Sequence, residues 1–421
     1  MKLRRLPIVA ELSDKDPLTP APLPQGGEGR GSLSLRPRPL GGKGGPQPAL
    51  SSAGAGQVRG FTRRYILQSP LALLAVAMLG VFSAAGLLAT NFQIYEVTAG
   101  SYAFAMWPTQ SPATSPNVTW NLNFTSLPSN VTENGSGVTP STIFTNSFAT
   151  WAGATYDGAK VANIEFTYGT SSASLPQAPT IDCKNVMGFA DPDAASDFGT
   201  GIIAFAEIAT TNSAGGPVPF TYTCGSVTPN PTCPLEVCIV DVDIMFNPAV
   251  VFATSGATTG QYDLQSVATH EIGHMLGLDH STIAHAIMFP YGDTTSIGVH
   301  QALWTDDMIG AGTLYPGPSI TANGTGIEGQ VKLGGAEVYA AHVEAIDATT
   351  GNVVTETLTD PSGNYHLRLF GGSYYVYVQP LAPDVLFGPC TIKNFSGQAG
   401  YGDNHLADVP SNPTDYTGKY Y

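Results

Sequence analysis

The run of residues 270–280, HEIGHMLGLDH, constrains this chain more than any other feature of its sequence. His270 and His274 are four residues apart, so on a helix both imidazoles leave the same face and can bind one ion. Gly277 permits a left-handed turn that ends the helix, and the chain can then fold back to bring His280 to that ion. Three neutral imidazoles around Zn²⁺ leave one position open, which is typical of a catalytic site. The spacing therefore predicts one catalytic zinc ion.

Strand and helix patterns place this motif in an α/β unit. Alternating and apolar runs predict strands at 118–124, 162–168, 201–208 and 237–246. Helical spacing predicts helices from Ser141 to Trp151, from 263 or 264 to about 276, and from 305 to 314. Ser141 and Thr305 are the expected N-caps. The order strand, helix, strand, loop, strands, helix indicates an α/β unit over residues 100–316.

The pattern changes after Pro316-Gly-Pro318. Residues 324–380 contain short alternating runs separated by Gly, Asp and Asn turns about every ten residues, which predicts a small all-β sandwich. Residues 381–421 have no clear pattern and stay unassigned.

The N-terminal part has the composition of a leader and an export signal. Residues 1–62 include a Pro- and Gly-rich stretch without periodicity, so we expect a disordered leader, and translation starting near Val58 would leave it out. In residues 63–89, two arginines precede an apolar run that ends in small residues, which is typical of a signal peptide. The alternative is an uncleaved membrane anchor, since the run is just long enough to span a bilayer. In both cases we expect a secreted or cell-surface protein.

Charge is divided unevenly along the chain, whose formal net charge is −15. Residues 1–64 carry eleven Lys and Arg against four Asp and Glu, whereas residues 65–421 carry six against twenty-eight. An acidic body of this kind repels phosphate backbones, so no nucleic-acid partner is expected. The sequence does not predict an oligomeric state.

Four of the five cysteines fall within 56 residues of each other, which agrees with export. We expect one or two disulfides among Cys183, Cys224, Cys233 and Cys238, and the sequence leaves all three pairings open. A zinc ribbon is the alternative, although the chain has no CxxC pair. Cys390 stands alone.

The stretch HEIGHMLGLDHS, followed by Ile287-Met288-Phe289-Pro290, resembles the metzincin zinc peptidases and, within them, the matrixin branch. The resemblance extends to other segments, so that it covers residues 100–316, about half of the chain: FATW at 148–151, ANIEF at 162–166, GTGIIAF at 199–205, DVDIMFN at 241–247 and the stretch from Trp304 to Tyr315. It implies an α+β domain, with a twisted five-stranded mixed sheet over an active-site helix and a C-terminal helix.

The resemblance also implies the roles of individual residues. His270, His274 and His280 would bind zinc, and Glu271 would take a proton from a zinc-bound water and pass it to the leaving amine. Met288 would be the Met-turn residue beneath the three imidazoles. Asp306 and Asp307 match an acidic pair of the family, whose second member braces the Met-turn backbone. An exposed acidic pair at a helix start is the alternative.

The implied substrate is a polypeptide, and the implied reaction is hydrolysis of its internal peptide bonds. A peptide would lie extended along the strand at 201–208, with Ala204 and Pro290 among the substrate-binding residues. Tyr291 follows Pro290 directly, one residue earlier than is usual in the family. We therefore predict no cleavage preference.

Two further departures from the family concern metals and latency. The first histidine of the chain is His270, so a second, structural zinc ion bound by earlier histidines is not expected. Four aspartates either bind Ca²⁺ together with loop carbonyls or are ordinary turn residues: Asp191, Asp193, Asp197 and Asp241. The short spacing between signal and domain leaves no room for a propeptide with a cysteine switch.

The remaining histidines are interpreted as ordinary surface or core residues: His285, His300, His342, His366 and His405.

The segment from 324 to 380 resembles the carboxypeptidase-regulatory-like β-sandwich modules of surface proteins, for which binding or spacing is the usual role. This resemblance gives a second hypothesis for the whole chain. It would be a cell-surface binding or adhesion protein with a structural or vestigial zinc site. The first hypothesis remains an exported zinc endopeptidase.

Overall fold

The computed structural model describes residues 8–12, most of 92–380, and 419–420. Within 92–380 the residues left out are 93, 99–100, 109–114, 134–137, 174–180, 190–197, 199–201, 227, 256, 259, 282, 284, 290–301, 324, 340 and 360–361. The predicted export signal, nearly all of the leader and the C-terminal tail lie outside the described residues, as does Cys390. Among the described residues, no helix has both the length and the apolar character needed to cross a bilayer.

The described residues form 22 strands and four helices. In chain order the strands are β1 Ile8–Leu12, β2 Ile94–Thr98, β3 Ser101–Phe104, β4 Asn117–Leu122, β5 Val131–Thr132, β6 Thr155–Tyr156, β7 Ala159–Lys160, β8 Glu165–Tyr168, β9 Asn185–Gly188, β10 Ala204–Asn212, β11 Phe220–Thr221, β12 Thr232–Cys233, β13 Val237–Phe246, β14 Phe252–Ala253, β15 Tyr262–Asp263, β16 Thr325–Leu333, β17 Ala336–Glu337, β18 Ala341–Asp347, β19 Val353–Leu358, β20 Asn364–Leu369, β21 Tyr374–Pro380 and β22 Lys419–Tyr420. The helices are α1 Pro140–Ala152, α2 Leu264–Met275, α3 Thr305–Leu314 and α4 Pro318–Asn323.

A five-stranded mixed sheet organises the first part of the chain, in the order β10-β13-β9-β4-β8. Four of its strands run parallel, and β10 is antiparallel to β13 at one edge. All ten residues of β13 are buried, because this inner strand is covered on both faces. The mixed sheet that the resemblance implies is therefore confirmed, and β13 has the predicted bounds.

Helix α1 packs on this sheet through apolar residues at helical spacing. Phe148 stacks on Trp120 of β4, with ring centroids 4.6 Å apart. Thr139 is the N-cap, and its hydroxyl accepts a hydrogen bond from the Thr142 amide at 3.3 Å. The prediction of Ser141 as the N-cap is wrong, because Pro140 takes the first helical turn, where its missing N–H costs nothing.

Helix α3 has the predicted bounds, but its predicted cap is also wrong. Trp304, and not Thr305, is the N-cap residue. The Trp304 amide donates to Asp307 Oδ2 at 2.7 Å. A carboxylate in the first turn thus satisfies the amide of the N-cap residue.

The four described cysteines form two disulfides, Cys183–Cys224 and Cys233–Cys238. The expectation of one or two disulfides is confirmed, and the zinc-ribbon alternative is wrong for these residues. The first bridge ties the segment before β9 to the loop that follows β11, and the second joins β12 to the start of β13.

Residues 325–380, called the C-terminal β unit here, form two sheets. One contains β16, β17 and β20, with β1 added in parallel to β16, and the other has the order β19-β18-β21-β22. One apolar cluster draws residues from both sheets, including Val331 and Leu367 from the first and Val343 and Val378 from the second. In β18, alternate residues contribute to this cluster: Ala341, Val343 and Ala345.

Candidate metal centre

Helix α2 carries the histidine motif and is held by hydrogen bonds at its start and along its length. At its start, the Asp263 carboxylate accepts a hydrogen bond from the Ser266 amide at 2.7 Å. Along its length, the indole N–H of Trp151 in α1 donates to the carbonyl of Thr269 at 2.8 Å. These contacts fix the rotation of α2 about its axis, and therefore the direction in which its histidines leave the helix.

The helix ends in a turn that only glycine makes easily. Gly277 has φ +97°, and a Cβ at this position would overlap the carbonyl oxygen of Ala105. The Leu278 amide reaches back to the Gly273 carbonyl at 3.1 Å, which closes the turn. The chain direction reverses here, so His280 returns toward the helix.

The structure brings the three predicted histidines together. One ring nitrogen from each of His270, His274 and His280 lies within 4.8 Å of the others. His270 and His274 are fully buried and His280 is 5% exposed. Among the described residues, this is the one group of three or more His, Cys, Asp or Glu side chains placed to share a metal ion.

Hydrogen bonds to the backbone leave the Nε2 atoms of the two helical histidines for a ligand. His270 Nδ1 lies 2.7 Å from the Ile287 carbonyl, and His274 Nδ1 lies 2.9 Å from the Leu278 carbonyl. A carbonyl only accepts, so each Nδ1 carries the proton and each Nε2 presents a lone pair. His270 Nε2 is buried and makes no hydrogen bond.

Burial also keeps the imidazoles neutral. Burial lowers the pKa of His274 to about 4. The pKa values of His270 and His280 fall well below the ordinary value through burial and through the neighbouring imidazoles. Zn²⁺ requires neutral imidazole ligands, so the donor set fits one zinc ion. Glu271, next to His270 in sequence, is fully buried in α2.

The turn that contains Met288 lies directly beneath α2. Met288 is fully buried, and a Cβ at Gly273 would overlap its sulfur atom. Asp307 accepts hydrogen bonds from the amides of Ile287 at 2.8 Å and Met288 at 3.1 Å. Because the Ile287 carbonyl in turn bonds His270, Asp307 braces both the turn that contains Met288 and the imidazole of His270. The alternative of an exposed acidic pair is wrong.

Asp306 holds the loop that follows His280. Its two oxygens accept hydrogen bonds from Ser281 Oγ and from Thr355 Oγ1, each at 2.8 Å. Burial, with the nearby charges of Glu356 and Asp307, raises the pKa of Asp306 to about 8. No sequence pattern indicates a role for Thr355, which lies in β19, 49 residues from Asp306.

Two more residues at this centre were not anticipated from the sequence. Asp279 is buried, and its carboxylate accepts a hydrogen bond from the His280 amide at 2.7 Å. Burial raises the pKa of Asp279 to about 7. The Tyr315 hydroxyl donates to the Leu276 carbonyl at 2.8 Å and accepts from the Trp107 amide at 3.0 Å. The position of Asp279 within the histidine motif was a usable signal, whereas the Tyr315 contacts span too much sequence to be read from it.

Of the two predicted substrate-binding residues, one lies within the described part of the chain. Ala204 is buried at the start of β10, opposite Phe246 of β13. Within the described part of the chain, the other side of β10 has no strand partner. Pro290 and Tyr291 lie outside the described residues.

The predicted calcium ligands are not assembled by the described residues. Asp191, Asp193 and Asp197 lie outside them. Asp241 is buried in β13, and its Oδ2 accepts hydrogen bonds from the amides of Asp182 at 2.7 Å and Cys183 at 3.1 Å. Burial raises the pKa of Asp241 to about 7, although these amides oppose the shift. Asp241 therefore anchors the start of β9, and calcium binding stays a prediction.

Comparison with known proteins agrees with this geometry. Residues 232–316 match the matrixin family of peptidases. This segment is matrixin-like. Similar proteins include Metalloendoproteinase 2-MMP of Arabidopsis thaliana, 44% identical over 70 residues (16% of this chain and 18% of the relative). Karilysin of Tannerella forsythia is 43% identical over 56 residues (13% and 11%).

Macrophage metalloelastase of Oryctolagus cuniculus is a third similar protein, 53% identical over 53 residues (12% of this chain and 11% of the relative). The chain spans less than a fifth of the length of each of these three relatives. The family match and the relatives' names support a zinc metalloendopeptidase, a hydrolase of peptide bonds, for the segment that they cover.

Proposed function

We propose that this chain is an exported zinc-dependent endopeptidase of matrixin type. The observation that carries the proposal is the buried cluster of His270, His274 and His280, whose ring nitrogens lie within 4.8 Å of one another in a matrixin-like segment. These residues would hold one zinc ion. When bound, zinc supplies a Lewis acid that acidifies water and polarises a peptide carbonyl.

In the proposed reaction, Glu271 is the protein residue that transfers the proton. A carboxylate at this position would accept a proton from the attacking water and pass it to the amine that leaves. Its complete burial supports this role, because a base that is shielded from bulk solvent keeps the proton within the site. His270 and His274 would stay neutral because burial lowers their pKa values, and the Nδ1 hydrogen bonds to backbone carbonyls would leave each Nε2 to bind zinc.

A substrate would bind as an extended polypeptide beside β10. The edge position of this strand supports the proposal, because its outward amides and carbonyls can pair with a peptide backbone. Ala204, at the first residue of the strand, would contact the peptide near the metal, and Pro290 would contribute from the segment after the Met-turn. Calcium at the Asp191, Asp193, Asp197 and Asp241 set would stabilise the fold rather than take part in the reaction.

Export is supported by residues 63–89, which have the composition of a signal peptide, and by the two disulfides. Residues 324–380 would form a carboxypeptidase-regulatory-like β-sandwich. Membrane attachment would follow only if the segment at 63–89 is retained.

The test is hydrolysis of casein and gelatin by the purified chain, with a chelator, without it, and after zinc is restored. We expect activity that the chelator abolishes and zinc recovers. His280→Ala should lose both zinc and activity. The matched control is His285→Ala, an exposed histidine five residues on, which should keep both. A wild-type protein that binds one zinc per chain and cleaves neither substrate would instead favour the binding or adhesion hypothesis.

A further inference from the structure

The C-terminal β unit packs on residues 100–316 through polar and aromatic contacts. The Trp304 indole N–H, at the start of α3, donates to the carbonyl of Val353 at 2.9 Å. Phe370 stacks on Tyr156 with centroids 3.7 Å apart and ring planes 5° from parallel. Phe370 is also buried in one apolar cluster with Ile309 of α3. Side chains of the β unit thus pack around α3, so the unit is held by side-chain contacts as well as by the connecting chain.

One of these contacts leads directly to the metal centre. Thr355 of β19 donates its hydroxyl to Asp306 Oδ1 at 2.8 Å, and Ser281 donates to Asp306 Oδ2 at the same distance. Ser281 follows His280 in the chain. Its amide donates to the Met288 carbonyl at 2.8 Å. A continuous set of hydrogen bonds therefore runs from the β unit to the loop that carries the third histidine.

Because this connection is buried, the loss of one of its hydrogen bonds costs free energy. Ser281, Asp306 and Thr355 are all completely buried. A buried oxygen that loses a donor is not compensated by bulk water, and the usual cost is about 1–3 kcal/mol. Without the Thr355 hydroxyl, Asp306 would rearrange to recover a donor, and its hold on Ser281 would change.

We infer that Thr355 is a positioning residue for the metal centre: through Asp306 and Ser281, the C-terminal β unit holds the loop that presents His280. Residues that orient metal ligands from outside the first coordination sphere affect metal affinity. The inference rests on the proposed zinc site and adds that this site is completed by a residue of the β unit. The hydroxyl group, and not merely the bulk of the side chain, carries the effect.

The direct test compares three variants of the full chain loaded with zinc. Thr355→Val removes the hydroxyl, Thr355→Ser retains it, and Thr357→Val is the matched control. Thr357 is buried in the same strand, but its hydroxyl bonds the neighbouring Leu358 carbonyl. We measure the rate at which zinc passes to a coloured chelator. Thr355→Val should release zinc about tenfold faster than wild type, at the lower end of the effect of outer-sphere partners. Thr355→Ser and Thr357→Val should stay within about twofold of the wild-type rate.

Equal release rates for Thr355→Val and Thr357→Val would overturn the inference. A second measurement on wild type needs no variant and covers the case in which Thr355→Val fails to fold. Because coupling is reciprocal, removing zinc should speed amide hydrogen exchange in β19 more than in β21. No difference between these strands would also overturn the inference. Zinc release does not depend on catalysis, so a wild-type protein that binds zinc and cleaves nothing would refute the proposed activity and leave this test intact.

Discussion

Replacing Gly273 by alanine should destabilise the protein, although alanine is the better helix former. An added Cβ at this position in α2 would overlap Met288 Sδ and lie 2.8 Å from Trp151 Cζ2. Trp151 cannot move aside easily, since its indole N–H is bonded to the Thr269 carbonyl at 2.8 Å. Overpacking of a tight core costs about 1–3 kcal/mol. Two heavy atoms would lie within 3.0 Å of the new Cβ, so the cost falls in the upper part of this range, about 2–3 kcal/mol. The alanine gains about 1 kcal/mol of helix propensity, which leaves a net loss of about 1–2 kcal/mol in the free energy of unfolding.

The assay is urea unfolding of the zinc-free protein, followed by circular dichroism. Gly371→Ala is the control, because a Cβ there meets no heavy atom within 4 Å. It should change the free energy of unfolding by less than about 0.5 kcal/mol. In a Met288→Ala background the overlap with sulfur is absent, so Gly273→Ala should cost about 1 kcal/mol less. If Gly273→Ala were as stable as wild type, or cost the same in both backgrounds, the proposed packing of the Met-turn against α2 would be refuted.

Two further predictions concern the two disulfides and Asp241. Replacing both cysteines of the Cys183–Cys224 bridge by alanine should lower the free energy of unfolding by about 4 kcal/mol, because the bridged residues are 41 apart in the chain. The same change at Cys233–Cys238, whose cysteines are five apart, should lower it by about 2 kcal/mol. Urea unfolding of each double variant measures these losses, and equal losses would contradict the loop-length argument. Burial raises the pKa of Asp241 from 3.8 to about 7, so its folded form retains a proton that the unfolded chain releases. Its contribution to stability is therefore full below about pH 4 and is lost as the pH rises through 7, by an amount on the order of a few kcal/mol. In the zinc-free protein, the free energy of unfolding should therefore decrease less steeply between pH 4.5 and 8 for Asp241→Asn than for wild type. The same pH dependence in both proteins would show that Asp241 is not the group responsible.

Local sequence patterns predicted the elements that carry the site. The bounds of β13 and α3 follow from apolar runs and turn residues, and α2 ends within a residue or two of its predicted limits. Spacing alone also placed the three histidines together, because the helix period and the turn at Gly277 are local properties. The site depends on short-range geometry, which is what a sequence pattern records.

The supporting contacts could not be predicted, because they join residues that are far apart in the chain. Asp306 and Thr355 are 49 residues apart, and the Trp107 amide and the Tyr315 hydroxyl are 208 apart. The two N-caps were wrong for a related reason. Near the start of α1, Thr139, Ser141 and Thr142 all satisfy the local rule, and Pro140 decides for Thr139. Near the start of α3, Thr305 is the only Ser or Thr, but the N-cap is Trp304, whose amide bonds the Asp307 carboxylate.

The most direct measurement of the central claim is the activity of Glu271→Gln together with its zinc content. The account predicts one zinc per chain, as in wild type, and kcat/KM for a protein substrate lowered by about 10²–10⁴-fold, the usual contribution of a general base. Glu165→Gln, at an exposed position of β8, controls for loss of one carboxylate and should match wild type. A Glu271→Gln protein that binds zinc and retains kcat/KM within tenfold of wild type would contradict the account.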